Sequence, residues 1–176
     1  MRKKQKEFLA LYEPIHLDFE RFCRARVYGD MEFRDLMNET LLKAFEKFDE
    51  LRSKEAFLSY LLSISVRLLA NNKRKRKEES DSFEKIVIQT RDVNSNTEAK
   101  AESYFLHKAL AQLPDEQRES IILFEISGFS IKEIAAIQKA SESSVKQRLR
   151  RGRIRLRELL TFEAISSGPT EKTAAS

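Results

Sequence analysis

Tryptophan is absent from this chain of 176 residues, and it holds only four glycines, three prolines, two histidines and one cysteine. So little turn-forming material argues against sandwiches, barrels and Gly-rich nucleotide folds, all of which need many tight turns. A single cysteine, Cys23, excludes a disulfide framework and a cysteine-rich zinc site. His16 and His107 have no close partner in sequence, so no histidine metal cluster is expected. No apolar run approaches the roughly 20 residues of a membrane span. The basic N-terminus leads into Phe8, Leu9, Ala10, Leu11 and Tyr12 and then Pro14, a stretch too short for a signal peptide, which predicts a cytoplasmic protein. No nucleophile–base pair, phosphate-cradling loop or metal cluster is visible. The expectation is therefore no enzyme, no cofactor and no membrane insertion.

Charge is what the chain has in quantity. Charged residues make up 35% and apolar ones 41%, and 33 bases against 28 acids leave a net charge of +5. That modest figure hides an asymmetry. Residues 73–77 are five consecutive bases, and residues 146–157 carry Lys146, Arg148, Arg150, Arg151, Arg153, Arg155 and Arg157 with no acid between them. The remaining 21 bases face 28 acids, a net of −7. An acidic body with two basic patches points to a polyanion bound at two places. Between Asp30 and Glu50 seven acids outnumber three bases, so DNA is repelled there and a protein partner is expected.

The apolar spacing is helical throughout. Phe8, Leu11, Tyr12, Ile15, Phe19 and Phe22 form one stripe, interrupted near Pro14; Phe33, Leu36, Met37, Leu41, Ala44, Phe45 and Phe48 form another over 31–48. A third helix is expected over 53–71 with Ser53 as its N-cap and Glu55 in its first turn. It carries Phe57, Leu58, Leu61, Leu62, Ile64, Val66, Leu68 and Leu69 and runs into the first basic patch. Taken alone, Phe57 and Tyr60 fit core packing better than stacking on an unpaired base. Residues 78–100 read as a linker by composition, with Ile86, Val87 and Ile88 as its one apolar interruption. The fold class is thus all-α: two small helical domains, 1–77 and 101–160, joined by a flexible linker, with 161–176 as a disordered tail.

The second unit carries the sharpest signal. Leu113 and Pro114 end one helix, Asp115 and Glu116 suit the start of the next, and Gly128 suits its stop. Ser130 to Glu133 spells a capping box. A short joint, Gln138 to Ser141, then leads to a basic helix on which Val145, Leu149, Gly152, Leu156 and Leu159 recur at steps of four and three. This is a helix-turn-helix, whose second helix enters the major groove. Ser143, Ser144, Lys146, Gln147, Arg150, Arg151 and Arg153 are the candidate DNA contacts: Gln suits adenine, and Arg suits guanine or phosphate. On the first unit, Tyr60, Arg67, Asn71, Asn72, Arg74 and Arg76 are the candidate single-strand contacts.

Three stretches resemble the bacterial RNA polymerase sigma factors of extracytoplasmic-function type. Asp35-Leu-Met-Asn-Glu-Thr-Leu-Leu-Lys-Ala-Phe resembles the family's polymerase-binding motif. Ala56 through Arg76 resembles the helix that melts and reads the downstream promoter element. Leu113 through Leu159 resembles the domain that reads the upstream element. The resemblance spans about residues 5–160. It implies that Asp35, Asn38 and Glu39 contact core RNA polymerase, and that Tyr60, Arg67, Asn71, Asn72, Arg74 and Arg76 lie at the strand-opening surface. It implies that the exposed side of the last helix reads duplex promoter DNA, and that an anti-sigma factor is a partner. The family commonly has Trp where Tyr60 stands, Asn where Arg67 stands, and Gly and Ile or Val where Lys139 and Ala140 form the joint; that joint is expected to be looser or differently shaped. The competing reading is a stand-alone helix-turn-helix regulator with an N-terminal interaction domain.

Overall fold

The computed structural model describes the backbone of residues 3–79 and 97–166, and every described element is helical. The first half runs α1 (Lys3–Tyr12), a 3₁₀ turn (Glu13–Ile15), α2 (His16–Val27), α3 (Phe33–Glu46), a second 3₁₀ turn (Phe48–Glu50) and α4 (Phe57–Glu79). The second half runs α5 (Thr97–Ala111), α6 (Asp115–Ile121), a π turn (Ile122–Ile126), α7 (Ile131–Gln138) and α8 (Glu142–Ser166). The expected tail overlaps α8, which continues through residues 161–166. The helix α5 begins four residues before the expected domain start. The Ile86-Val87-Ile88 segment lies outside the described residues.

The break between α1 and α2 falls at Pro14, which has no N–H to continue the ladder and sits at the start of its 3₁₀ turn. The two short helices bend around an aromatic nucleus. Phe8 meets Phe45, Phe48 and Phe57 edge to face at 5.3–5.4 Å between ring centres, the arrangement favoured by ring quadrupoles. Leu36, Leu61, Leu62, Phe19 and Phe22 are fully buried behind it. Thr40 enters this core without an apolar side chain, because its hydroxyl meets that of Ser65 at 3.0 Å.

The start of α4 differs from expectation. Ser53 does not cap it; its hydroxyl donates to the Glu55 carboxylate at 2.7 Å, and the helix begins only at Phe57. Ser53 therefore stands four residues before the helix and is not at its N-cap position.

The two halves pack on one another. One contiguous apolar cluster includes Leu68 of α4, Leu110 of α5 and Ile134 of α7. Around it lies a ring of charge. Arg26, 5% exposed, points Nε at Glu119 Oε2 at 3.3 Å. Arg118, 1% exposed, donates to Asp30 Oδ2 at 2.9 Å and to the Tyr28 carbonyl at 3.0 Å. Lys73 donates to Asp115. Burial works against the Asp115 charge, but Lys73 and Arg26 hold its carboxyl below the usual range.

Candidate nucleic-acid interface

The frame of α7 and α8 is built from local rules. The Ser130 hydroxyl accepts the Glu133 N–H at 3.3 Å, and the Glu133 carboxylate accepts the Ser130 N–H at 2.8 Å, closing the capping box. The Ser130 hydroxyl also donates to the Glu133 carboxylate at 2.7 Å, and this bond, with that from the Ser130 N–H, holds the Glu133 carboxyl below the usual range. At the far end of α7, Lys139 adopts the left-handed conformation (φ 50°, ψ 48°). A side chain there costs of order 1 kcal/mol relative to glycine. The joint is nevertheless closed: Ala140 N–H reaches the Ala135 carbonyl at 2.9 Å, and Lys139 N–H reaches that of Ala136 at 3.4 Å. The looser joint expected from the missing glycine is thus not what these residues form. Ser141 then caps α8 by accepting the Ser144 N–H at 3.2 Å.

Val145, Leu149 and Gly152 face inward as expected. Gly152 lets α8 lie directly on α6, since a Cβ there would stand 2.7 Å from Ile121 Cδ1. The opposite side holds Ser143, Lys146, Gln147, Arg150 and Arg151, all exposed, with Ser144 half-buried at the edge. The seven bases of this helix do not behave alike. Arg148 turns inward to Gln138 and Glu116. Arg153 is held by Glu125 through two hydrogen bonds, at 3.0 and 2.7 Å, and lies over the Phe124 ring. Arg155 pairs with Glu158. Lys146, Arg150, Arg151 and Arg157 are exposed and make no ion pair among the described residues.

On α4 the expected strand-opening residues separate into two groups. Tyr60, Arg67, Asn71 and Arg74 recur at steps of seven, four and three and share one stripe. Asn72 and Arg76 instead follow the line of the core residues Leu61, Ser65 and Leu68, and Asn72 is half-buried. Phe57 is 2% exposed and belongs to the core, which removes it as a stacking platform. Tyr60 is half-buried against it, with ring centres 6.3 Å apart and planes 27° apart, and its hydroxyl donates to the Lys47 carbonyl at 3.2 Å. Burial raises the Tyr60 pKa, so the ring is neutral at physiological pH. Beyond Leu68, the last fully buried residue of α4, Asn71, Arg74 and Arg76 are exposed, while Lys73 still reaches Asp115 of α6.

Across from this stripe, Val66, Leu69, Ala70 and Lys73 of α4 face Ser144, Gln147 and Arg151 of α8 over a cleft of about 670 Å³. On α3, Asp35 and Asn38 are exposed and Glu39 is half-buried on a common face. Leu42, 60% exposed, sits in the middle of that face. Sequence reasoning missed Leu42, although its spacing of seven, four and three from Asp35, Asn38 and Glu39 was readable. It also missed Gln138, which no periodicity distinguishes.

Among the described residues, no helix is long and apolar enough to cross a membrane. Two family models match the chain: "Sigma-70 region 2" over residues 11–79 and "Sigma-70, region 4" over residues 106–156. The chain is 31% identical over 142 residues to the ECF RNA polymerase sigma factor EcfG of Rhodopseudomonas palustris, covering 80% of this chain and 78% of that one. It is 29% identical over 173 residues to the RNA polymerase sigma factor SigV of Bacillus subtilis, covering 94% and 100%. Among solved structures it resembles the sigma factor RpoE of Bartonella quintana, crystallised with the anti-sigma factor NepR. That likeness has a TM-score of 0.68 and 30% identity, over 89% of this chain and 96% of that one.

Proposed function

Because this chain belongs to the extracytoplasmic-function sigma factors of bacterial RNA polymerase, we propose that its two halves divide promoter DNA between duplex and opened strand. It directs the polymerase to promoters and starts transcription. The upstream element is read as duplex by the open side of α8, through Ser143, Ser144, Lys146, Gln147, Arg150 and Arg151. The observation that carries this assignment is the exposure of these side chains, all but the half-buried Ser144, on a helix that is capped and packed from behind. Arg153, tied to Glu125, serves as a peripheral phosphate contact. The stripe Tyr60, Arg67, Asn71 and Arg74 meets the separated strand downstream, flanked by Asn72 and Arg76. The chain itself performs no chemistry; binding free energy from duplex contacts anchors the complex, and captured bases offset the stacking that opening disrupts.

The α3 face of Asp35, Asn38, Glu39 and Leu42 docks on core RNA polymerase. An acidic rim around one exposed leucine has the apolar centre and polar edge of a protein interface. An anti-sigma factor is the regulating partner, as in the RpoE–NepR complex, and the protein works in the cytoplasm. A stand-alone regulator would leave the first half with an unrelated task, whereas its sequence matches the sigma family over residues 11–79.

The experiment is co-elution with core polymerase. The unaltered chain co-elutes; Asp35→Ala with Glu39→Ala weakens the complex about tenfold without changing the fold. Unchanged affinity for core polymerase would remove α3 as the docking face.

A further inference from the structure

Gln138 is the last residue of α7, immediately before the left-handed Lys139. Its side-chain amide offers two N–H donors and one carbonyl with two lone pairs. Both donors are used: Nε2 donates to the Glu116 carbonyl at 3.3 Å and to Glu119 Oε1 at 2.8 Å. Oε1 accepts from Arg148 Nη1 at 3.0 Å and competes with the Glu116 carbonyl, at 2.9 against 2.8 Å, for the single proton of the Ser120 hydroxyl. Only this orientation of the amide is consistent with its neighbours, because an ionised Glu119 only accepts and Arg148 only donates. One side chain therefore ties α7 to both α6 and α8. Arg148 completes the clasp by pairing with Glu116 Oε2 at 3.0 Å.

Arg148 directly follows Gln147 and lies two residues before Arg150. A side chain that reads a base edge has to be held to within about 0.5 Å. The backbone of the joint does not supply that constraint by preference, since Lys139 occupies a conformation that L side chains avoid. We propose that Gln138 is a positioning residue for promoter reading: it fixes the orientation of α8 on α6, and so sets which base edges Gln147 and Arg150 meet. This inference rests on the reading of α8 as the upstream-element helix. The same carboxylate that receives Gln138 also receives Arg26 of the first half, at 3.3 Å through its other oxygen, so Glu119 holds the clasp in register with the packing of the halves.

The test uses the full chain in reconstituted polymerase holoenzyme, with initiation measured on templates that differ only in the upstream element. The readout is the ratio of initiation on the preferred element to that on unrelated ones, which does not depend on how much of the chain is folded. Gln138→Ala and Gln138→Glu are expected to lower that ratio about tenfold, the scale of one good base contact. Glu119→Gln alone is expected to lower it too, since its one amide oxygen cannot accept from both Gln138 and the buried Arg26. The double variant Q138E/E119Q is expected to recover most of it, because the amide introduced at 119 donates to the carboxylate introduced at 138. The clamp is overturned if both single changes at 138 keep the native ratio. It is equally overturned if the double variant does no better than Q138E, whether by misfolding or otherwise. A native holoenzyme indifferent to the upstream element would instead overturn the reading of α8 itself, and the clamp with it.

Discussion

The two basic surfaces of this protein are built on opposite plans. The reading side of α8 is fixed from three directions: the Ser141 cap at its start, Gly152 against Ile121 behind it, and Gln138 at its flank. The basic end of α4 has one tie to the rest of the protein, Lys73 to Asp115, once Leu68 has left the core. Arg74 and Arg76 make no hydrogen bond or ion pair among the described residues. Duplex DNA presents donors and acceptors at fixed places, so a rigid reader loses little entropy on binding and gains discrimination. An opened strand has no fixed shape, and a mobile row of charges and amides follows it at the cost of specificity. On the proposed roles, what separates a reader from a follower is the packing beneath the charge rather than net charge.

The comparison breaks most visibly if the support of α8 is removed. Gly152→Val places side-chain carbon where Ile121 Cδ1 already lies, and is expected to destabilise the protein by about 1–3 kcal/mol in urea melts. Upstream selectivity should fall with it. Gln147→Ala leaves the frame intact and should abolish one base preference, about 1–3 kcal/mol for the favoured base in a binding titration across element variants. On α4, Arg74→Ala should slow promoter opening more than Arg76→Ala, because only Arg74 shares the stripe of Tyr60, Arg67 and Asn71. Each change should reduce the salt slope of single-strand binding by about 0.7. Equal losses in duplex binding and opening would erase the division between the two surfaces. Ser130→Ala removes a cap from the brace helix, an expected loss of about 1 kcal/mol in thermal melts. The smallest effect belongs to Lys139→Gly. Relief of the left-handed backbone, about 1 kcal/mol, is largely offset by the greater freedom of glycine in the unfolded chain, leaving a gain of less than about 1 kcal/mol.

Much of this was legible in the residues because local rules sufficed. The capping box, the Gly128 stop, the inward Val145, Leu149 and Gly152, and the stripe of α3 all follow from helical period and end chemistry. The start of α4 was not legible, because Ser53 had two acceptable partners and only the folded geometry selects Glu55. The charges that join the halves were also hidden. Arg26, Arg118 and Glu119 read as ordinary surface residues, and only their partners, from 88 to 93 positions away, allow them to be buried. For the same reason the seven bases of α8 read as one patch. Nothing in their spacing separates Arg148, Arg153 and Arg155, which find carboxylates, from Lys146, Arg150, Arg151 and Arg157, which find none among the described residues.

The cleft between α4 and α8 has a thermodynamic consequence. Its volume of about 670 Å³ is the size of a small-molecule site, and Gln147 and Arg151 form part of its wall. A DNA duplex does not enter a space of that size, so any contact made through the cleft-facing sides of Gln147 and Arg151 requires the halves to stand apart. Binding that uses those contacts draws on the fraction of chains so opened, and its apparent dissociation constant equals the intrinsic one divided by that fraction. The ion pairs that separation must break, Arg26 with Glu119, Arg118 with Asp30 and Lys73 with Asp115, all lower that fraction. Any partner that holds the halves open raises promoter affinity by the same factor without touching a single base.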